Sequence, residues 1–279
     1  MRLHTIDTGY FKLDGGAMFG VVPKVMWQKF YPADANNLCT WAMRCLLIEH
    51  GNRLILIDTG IGDKQSEKFF SHFHPHGEAS LLGSIQQKGY SPDDITDVIL
   101  THLHFDHVGG AVSKVAEHQY RPTFKNATYW SQSDHWKWAL TPNPREKASF
   151  LRENFVPLEE SGQLKFIDQH DWDIPEIDFR LCHGHTESQI IPQIQYKGQT
   201  IVYCADLMPS PHHLPLPYVM AYDIRPLTTL EERKSFLSEA VGKDWILYYE
   251  HDAKVECSKL IETPKGVRYG ETFALSELG

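Results

Sequence analysis

What this chain of 279 residues lacks narrows its identity before any motif is considered. Its five cysteines, Cys39, Cys45, Cys182, Cys204 and Cys257, are odd in number and nowhere form Cys-x-x-Cys. That excludes a disulfide framework or a zinc ribbon and predicts reduced, buried thiols in a cytoplasmic protein. Long apolar runs are missing too, and the opening Met1-Arg-Leu-His-Thr-Ile-Asp7 has no signal core, so the expectation is no membrane association. Basic charge is short: 27 Lys and Arg against 36 Asp and Glu give a net charge of −9. Without a basic stripe to meet phosphates, no nucleic-acid partner is expected. No Pro/Ser/Gly-rich linker, charge block or internal repeat divides the chain, which predicts a single domain over residues 1–279.

Histidine, by contrast, is plentiful, with 16 in the chain. Four potential ligands crowd into Thr101-His102-Leu103-His104-Phe105-Asp106-His107-Val108-Gly109-Gly110. At this histidine frequency a chance His-x-His-x-Asp-His somewhere in the chain is expected only about three times in a thousand. The apolar end of Ile95–Leu100 reads as a buried strand running into it, and Ala111–Val115 beyond it reads as a helix. In an extended segment His102 and His104 point the same way and can converge on one ion. After the turn, Asp106 and His107 can diverge towards a second. Imidazole and carboxylate donors suit zinc, with iron, manganese and cobalt as alternatives.

The other elements are coarser. Residues 3–13 read as a strand and Asp14–Lys24 as a glycine-rich loop. Residues 41–48 and 53–57 form a hairpin that ends in Asp58, placed to orient a metal-binding histidine. His72, His74 and His76 read as a surface loop. Residues 80–90 have helical spacing, Tyr129–Ser131 a strand, and Ser133 caps a helix. A helical insertion over about 132–163 is placed to wall a substrate pocket, with Trp136, Trp138 and Phe150 as packing. Thr228–Glu231 has capping-box spacing, and 255–269 reads as a terminal hairpin.

One loop underfills two metal positions. Three further candidates follow strands: His185 (with His183 as competitor) after 177–182, Asp206 after 200–205, and His251 after 245–249. Cys204 reads as core. The whole set, His102-x-His104-x-Asp106-His107 with His185, Asp206, His251 and Asp58-Thr-Gly, resembles the metallo-β-lactamase superfamily. The resemblance implies an α/β fold, an αβ/βα sandwich of two mixed sheets flanked by helices, with a dinuclear site at one edge. It assigns His102, His104 and His185 to one metal, Asp106, His107 and His251 to the other, and Asp206 to both. The cofactors implied are two divalent ions, zinc first.

Asp14–Lys24, Ala205–Pro209, Ala221-Tyr-Asp223 and Tyr249–Ala253 resemble the branch of probable quorum-quenching N-acyl-homoserine lactonases. The chain departs from better-known lactonases where they carry a tyrosine three residues after the bridging aspartate. Here that position is Pro209, leaving Tyr222, His212 or His213 to substitute. The implied reaction opens a lactone or ester by a metal-bridging hydroxide, with Asp206 and Asp106 the catalytic carboxylates. Met18, Phe19, Val21 and Val22 would line an acyl-chain pocket. The expected partner is a small-molecule ester or lactone, and the expected state a monomer or homodimer. Rival readings are a phosphotriester or phosphodiester hydrolase on the same site, and, from another class, a redox-active di-iron protein.

Overall fold

The computed structural model describes residues 1–170 and 172–278. In chain order the elements are β1 (Arg2–Asp14), α1 (Gly15–Phe19), α2 (Lys24–Trp27), β2 (Leu38–His50), β3 (Arg53–Ile57), α3 (Glu67–Phe73), α4 (Leu81–Gln87) and β4 (Asp97–Ile99). Then come α5 (Phe105–Val108), β5 (Val112–Ala116), β6 (Gln119–Pro122), β7 (Thr128–Ser131), α6 (Ser133–Leu140), α7 (Val156–Glu160) and β8 (Leu164–Phe166). The second half holds β9 (Ile177–Cys182), β10 (Gln189–Tyr196), β11 (Gln199–Tyr203), α8 (Pro226–Gly242), β12 (Ile246–Tyr248), β13 (Cys257–Thr263) and β14 (Gly266–Phe273). They form two six-stranded mixed sheets, β1-β2-β3-β4-β7-β8 and β14-β13-β12-β11-β10-β9.

The layering follows from the two-residue period of the strands. Leu46 and Ile48 of β2, with Ile55 and Ile57 of β3, share one core with Ile191, Ile194, Ile201, Tyr203, Ile246 and Tyr248 of the second sheet. Their neighbours Cys45, Leu47, Leu54 and Leu56 face the other way, onto Ile85 of α4 and Trp136 and Ala139 of α6. Phe236, Leu237 and Ala240 of α8 pack on the second sheet. The buried Tyr203 and Tyr248 hydroxyls donate across the core to the Arg44 and Cys45 carbonyls at 2.9 and 3.0 Å, so both phenols are satisfied. The expected αβ/βα sandwich is therefore observed.

Five local expectations need correction. Residues 112–116 are a strand, β5, antiparallel to β6, rather than a helix. The segment is short, and a partner strand follows within a few residues, pairing Val112 with Pro122. Asp14–Lys24 is not all loop: the Asp14 carboxylate accepts from Ala17 N at 2.8 Å and starts α1. The α6 cap is Gln132, whose side chain accepts from Asp134 N and His135 N. α8 begins at Pro226 without a side-chain cap, because proline already holds the first helical φ, so Thr228–Glu231 is not a capping box. In the 132–163 stretch, helix is confined to α6, α7 and a 3-10 turn, and residues 141–150 are irregular.

Candidate functional site

Strand ends deliver the donors. β4, at the centre of the first sheet, runs parallel to β3 and β7 and hands the chain to His102 and His104. β9 leads to His185, β11 to Asp206 and β12, parallel to β11, to His251. Donor atoms of His102, His104, His185 and Asp206 all lie within 4.8 Å of one another, and those of Asp106, His107 and His251 do likewise. All seven residues are buried. Asp206 touches both groups: Oδ2 is 3.0 Å from His185 Nε2, and Oδ1 is 3.1 Å from His251 Nε2. His183 stays outside, paired with Glu187, and the exposed His72, His74 and His76 do not join either group.

Each imidazole is gripped from behind. His185 Nδ1 lies 2.9 Å from Asp223 Oδ1, His251 Nδ1 is 2.8 Å from the Ala42 carbonyl, and His104 Nε2 is 3.3 Å from Glu146 Oε1. His107 Nδ1 is 3.1 Å from both Asp58 and Glu250. His102 Nδ1 is 3.1 Å from the Thr101 hydroxyl, which donates on to Asp58 Oδ2 at 2.7 Å. Asp58 thus orders one histidine of each group. It does so from a left-handed conformation, φ 58°, held also by Thr101 N at 2.8 Å.

These acceptors place the ring protons on the outer nitrogens, so the inner nitrogens face one another as bare acceptors. His102 Nε2 and His185 Nε2 are each 3.1 Å from His104 Nδ1, and His251 Nε2 is 3.2 Å from His107 Nε2. Asp206 Oδ1 is buried, and with the His251 proton on Nδ1 its neighbour His251 Nε2 at 3.1 Å offers it no donor. A knot of acceptors without donors is costly in a protein interior and is what divalent cations satisfy. The donor set fits two such ions. Without them, protons take their place: burial disfavours a charged imidazole, yet Asp206 and then Asp223 push His185 up to about 10. Asp206 and Glu250 likewise push His251 up to about 9 against the effect of burial.

The donors floor a cavity of about 450 Å³ lined by Leu13, Met18, Phe73, Phe105, Met220 and Tyr222, with Arg145, Glu146, Ala148 and Ser149 on one wall. Asp106, His104, His185, Asp206 and His251 open onto it. Of the residues expected to form the pocket, Met18 and Tyr222 line it. Phe19, Val21, Val22, His212 and His213 do not. Val21 is 89% exposed, Val22 is buried in the aromatic cluster behind α1, and Phe19 is fully buried between Trp27 and His213. Both nitrogens of His213 are spent, on Ser210 Oγ at 2.7 Å and the Met18 carbonyl at 2.9 Å. His212 stacks on Phe30 away from the cavity.

Two site residues carried no signal in the sequence. Glu146 lies in the irregular 141–150 stretch, which no periodic pattern leads into. His135 sits inside α6, a stretch that reads only as the start of a capped helix. Its Nε2 accepts from Leu103 N at 2.8 Å, between His102 and His104, while Nδ1 reaches the Glu187 carbonyl at 2.5 Å. It ties the loops of His102 and His185 together. Burial keeps it neutral, lowered to about 4.

A sequence profile of the metallo-beta-lactamase superfamily matches residues 44–251. N-acyl homoserine lactonase AiiA of Bacillus thuringiensis subsp. kurstaki is 34% identical over 89 residues, covering 28% of this chain and 34% of that protein. The chain thus matches about a third of the length of this curated relative. A probable metal-dependent hydrolase from Staphylococcus aureus has a crystal structure that superposes with a TM-score of 0.88 at 28% identity, over 98% of this chain and 96% of that one. AidC, a dizinc quorum-quenching lactonase solved with a product, superposes with a TM-score of 0.80 at 22% identity, over 98% of this chain and 95% of that one.

Proposed function

Because this chain belongs to the metallo-beta-lactamase superfamily, we propose that it is a dinuclear metal-dependent hydrolase that opens lactones, N-acyl-homoserine lactones in particular. The observation that carries this is the convergence of bare imidazole nitrogens and an unpartnered Asp206 oxygen at the floor of a mostly apolar cavity. His102, His104 and His185 would hold one ion, Asp106, His107 and His251 the other, and Asp206 would contribute to both. Two such ions would supply an acidified water and a Lewis acid for an ester carbonyl. Zinc is the metal proposed, by the donor chemistry and the likeness to a dizinc protein.

The chain's own residues supply the rest. Asp206 Oδ1, beside the inner nitrogen of His251, takes the proton of the attacking water and returns it to the leaving alkoxide oxygen. Asp106, at the cavity edge of its group, keeps His251 and His107 in a negative surrounding. Tyr222 faces the same cavity. The residue is 38% exposed, so the phenol is open to an incoming substrate. A phenol keeps its proton at neutral pH, so Tyr222 is a hydrogen-bond donor suited to the substrate carbonyl in place of the tyrosine that Pro209 displaces. Met18, Leu13, Phe73 and Phe105 give an acyl chain an apolar wall. All five cysteines are unpaired and buried, which supports a reduced, cytoplasmic protein. Among the described residues no helix is long and apolar enough to cross a membrane.

Acid release from a panel of acyl-homoserine lactones, γ-lactones, an aryl ester and an aryl phosphotriester tests the reading, with His104→Ala and Asp206→Ala as controls. Lactone opening lost in both variants is the expected result. Activity on the phosphotriester alone would overturn the substrate and leave the site standing.

A further inference from the structure

Four donors converge on the buried carboxylate of Glu146. Oε1 receives Thr186 Oγ1 at 2.6 Å and His104 Nε2 at 3.3 Å, and Oε2 receives Trp138 Nε1 at 2.7 Å and Asn143 Nδ2 at 2.8 Å. Only an acceptor-only group satisfies all four, since an amide in its place would turn an NH₂ towards two of them. Glu146 belongs to the irregular segment whose Ala148 and Ser149 also wall the cavity. That segment is docked at two further points. The Arg145 guanidinium donates to the carbonyls of Ala221 and Asp223, and Phe105 N donates to the Ser149 carbonyl at 3.0 Å.

Where it meets the groups behind the histidines, the attachment is one-sided. Glu146 stands behind His104, and its neighbour Arg145 grips the backbone of Asp223, the residue that stands behind His185. Both histidines belong to the same donor group. The histidines of the other group are backed by Asp58, Glu250 and the Ala42 carbonyl, none of them on this segment. A carboxylate behind an imidazole fixes its tautomer and raises its strength as a ligand.

We propose that Glu146 is a positioning residue through which the substrate-facing wall at 143–150 controls retention of one of the two ions, the one held by His102, His104 and His185. This rests on the dinuclear reading above. Displacing the wall loosens that ion and leaves its companion in place, so the two metal affinities are separable by changes outside the ligand set.

The test is zinc competition against a chromophoric chelator for the wild type, Glu146→Gln and Asn143→Ala, with circular dichroism to establish folding. The wild type should take up two zinc ions. Glu146→Gln should weaken one of them on the order of 10–100-fold with the other unchanged. Asn143→Ala, which removes one donor to Glu146 together with the Oδ1 acceptor of Arg145 N and Glu146 N and touches no ligand, should weaken the same ion by a smaller factor. Should Glu146→Gln fail to fold, Asn143→Ala decides alone. Equal weakening of both ions, or no change in a folded variant, overturns the proposal. A wild type that binds no zinc overturns the dinuclear reading instead, and the proposal with it.

Discussion

Replacing His135 with glutamine should remove part of the acid sensitivity of this fold. In the folded chain His135 is buried and neutral: Nε2 accepts from Leu103 N, and Nδ1 donates to the Glu187 carbonyl. A proton on Nε2 would abolish the first bond and leave a charge without a carboxylate at hydrogen-bond distance. Burial therefore lowers the imidazole to about 4 from the ordinary 6.5. The unfolded chain takes up that proton near pH 6.5 and the folded chain only near pH 4. Stability from this group is thus fully present above pH 6.5 and is lost as the pH falls to about 4. At about 1.4 kcal/mol per pH unit, the loss is roughly 3 kcal/mol. Glutamine keeps an acceptor for Leu103 N and a donor for the Glu187 carbonyl but does not titrate, so at pH 7.5 His135→Gln should cost only about 1 kcal/mol. Urea unfolding of the chelator-treated wild type and variant, at intervals from pH 7.5 to 4, measures the difference. Other groups titrate in both proteins and drop out of the comparison. The wild type should lose about 3 kcal/mol more than the variant across that range, and parallel stability profiles would refute the assignment of His135 as a neutral clamp.

Metal uptake should be linked to protons. Below pH 9 the metal-free chain holds protons on His185 and His251, so binding must expel them, and the apparent zinc affinity should rise with pH through the neutral range. Calorimetry in buffers of different ionisation enthalpy checks this, and buffer-independent heats would contradict it. Tyr222→Phe should lower kcat for lactone opening on the order of 100-fold with two zinc ions still bound. Unchanged kcat would remove Tyr222 from the chemistry. At Gly184 a Cβ would meet Thr229 Oγ1 at 2.3 Å and its backbone N at 2.5 Å. Gly184→Ala should therefore destabilise the chain by about 1–3 kcal/mol, read as a lower thermal midpoint.

The layered sandwich was legible only through the resemblance that the donor set carries, because β2 and β3 are apolar on both faces and mark buried strands without saying how two sheets stack. The donors were legible for a different reason. His102 to His107 are local in sequence, and His185, Asp206 and His251 each follow an apolar strand. What escaped detection depends on contacts between segments distant in sequence. Glu146 reaches His104 from 42 positions away, and His135 reaches Leu103 from 32, out of segments whose own pattern says nothing about the site. Short pieces were ambiguous in both directions: β5 has too few residues to separate a strand from a helix by period. Val21 and Val22 differ only in which way a tight turn sends them, one to solvent and one into the aromatic cluster.

The central claim is that hydrolysis depends on a pair of ions held by the two donor groups. Its most direct test is the rate of acyl-homoserine lactone opening as zinc is titrated into metal-stripped protein. The account predicts negligible opening without zinc and a rise that is complete only at two equivalents per chain. Full activity in the stripped protein, or a maximum reached at one equivalent, would contradict it.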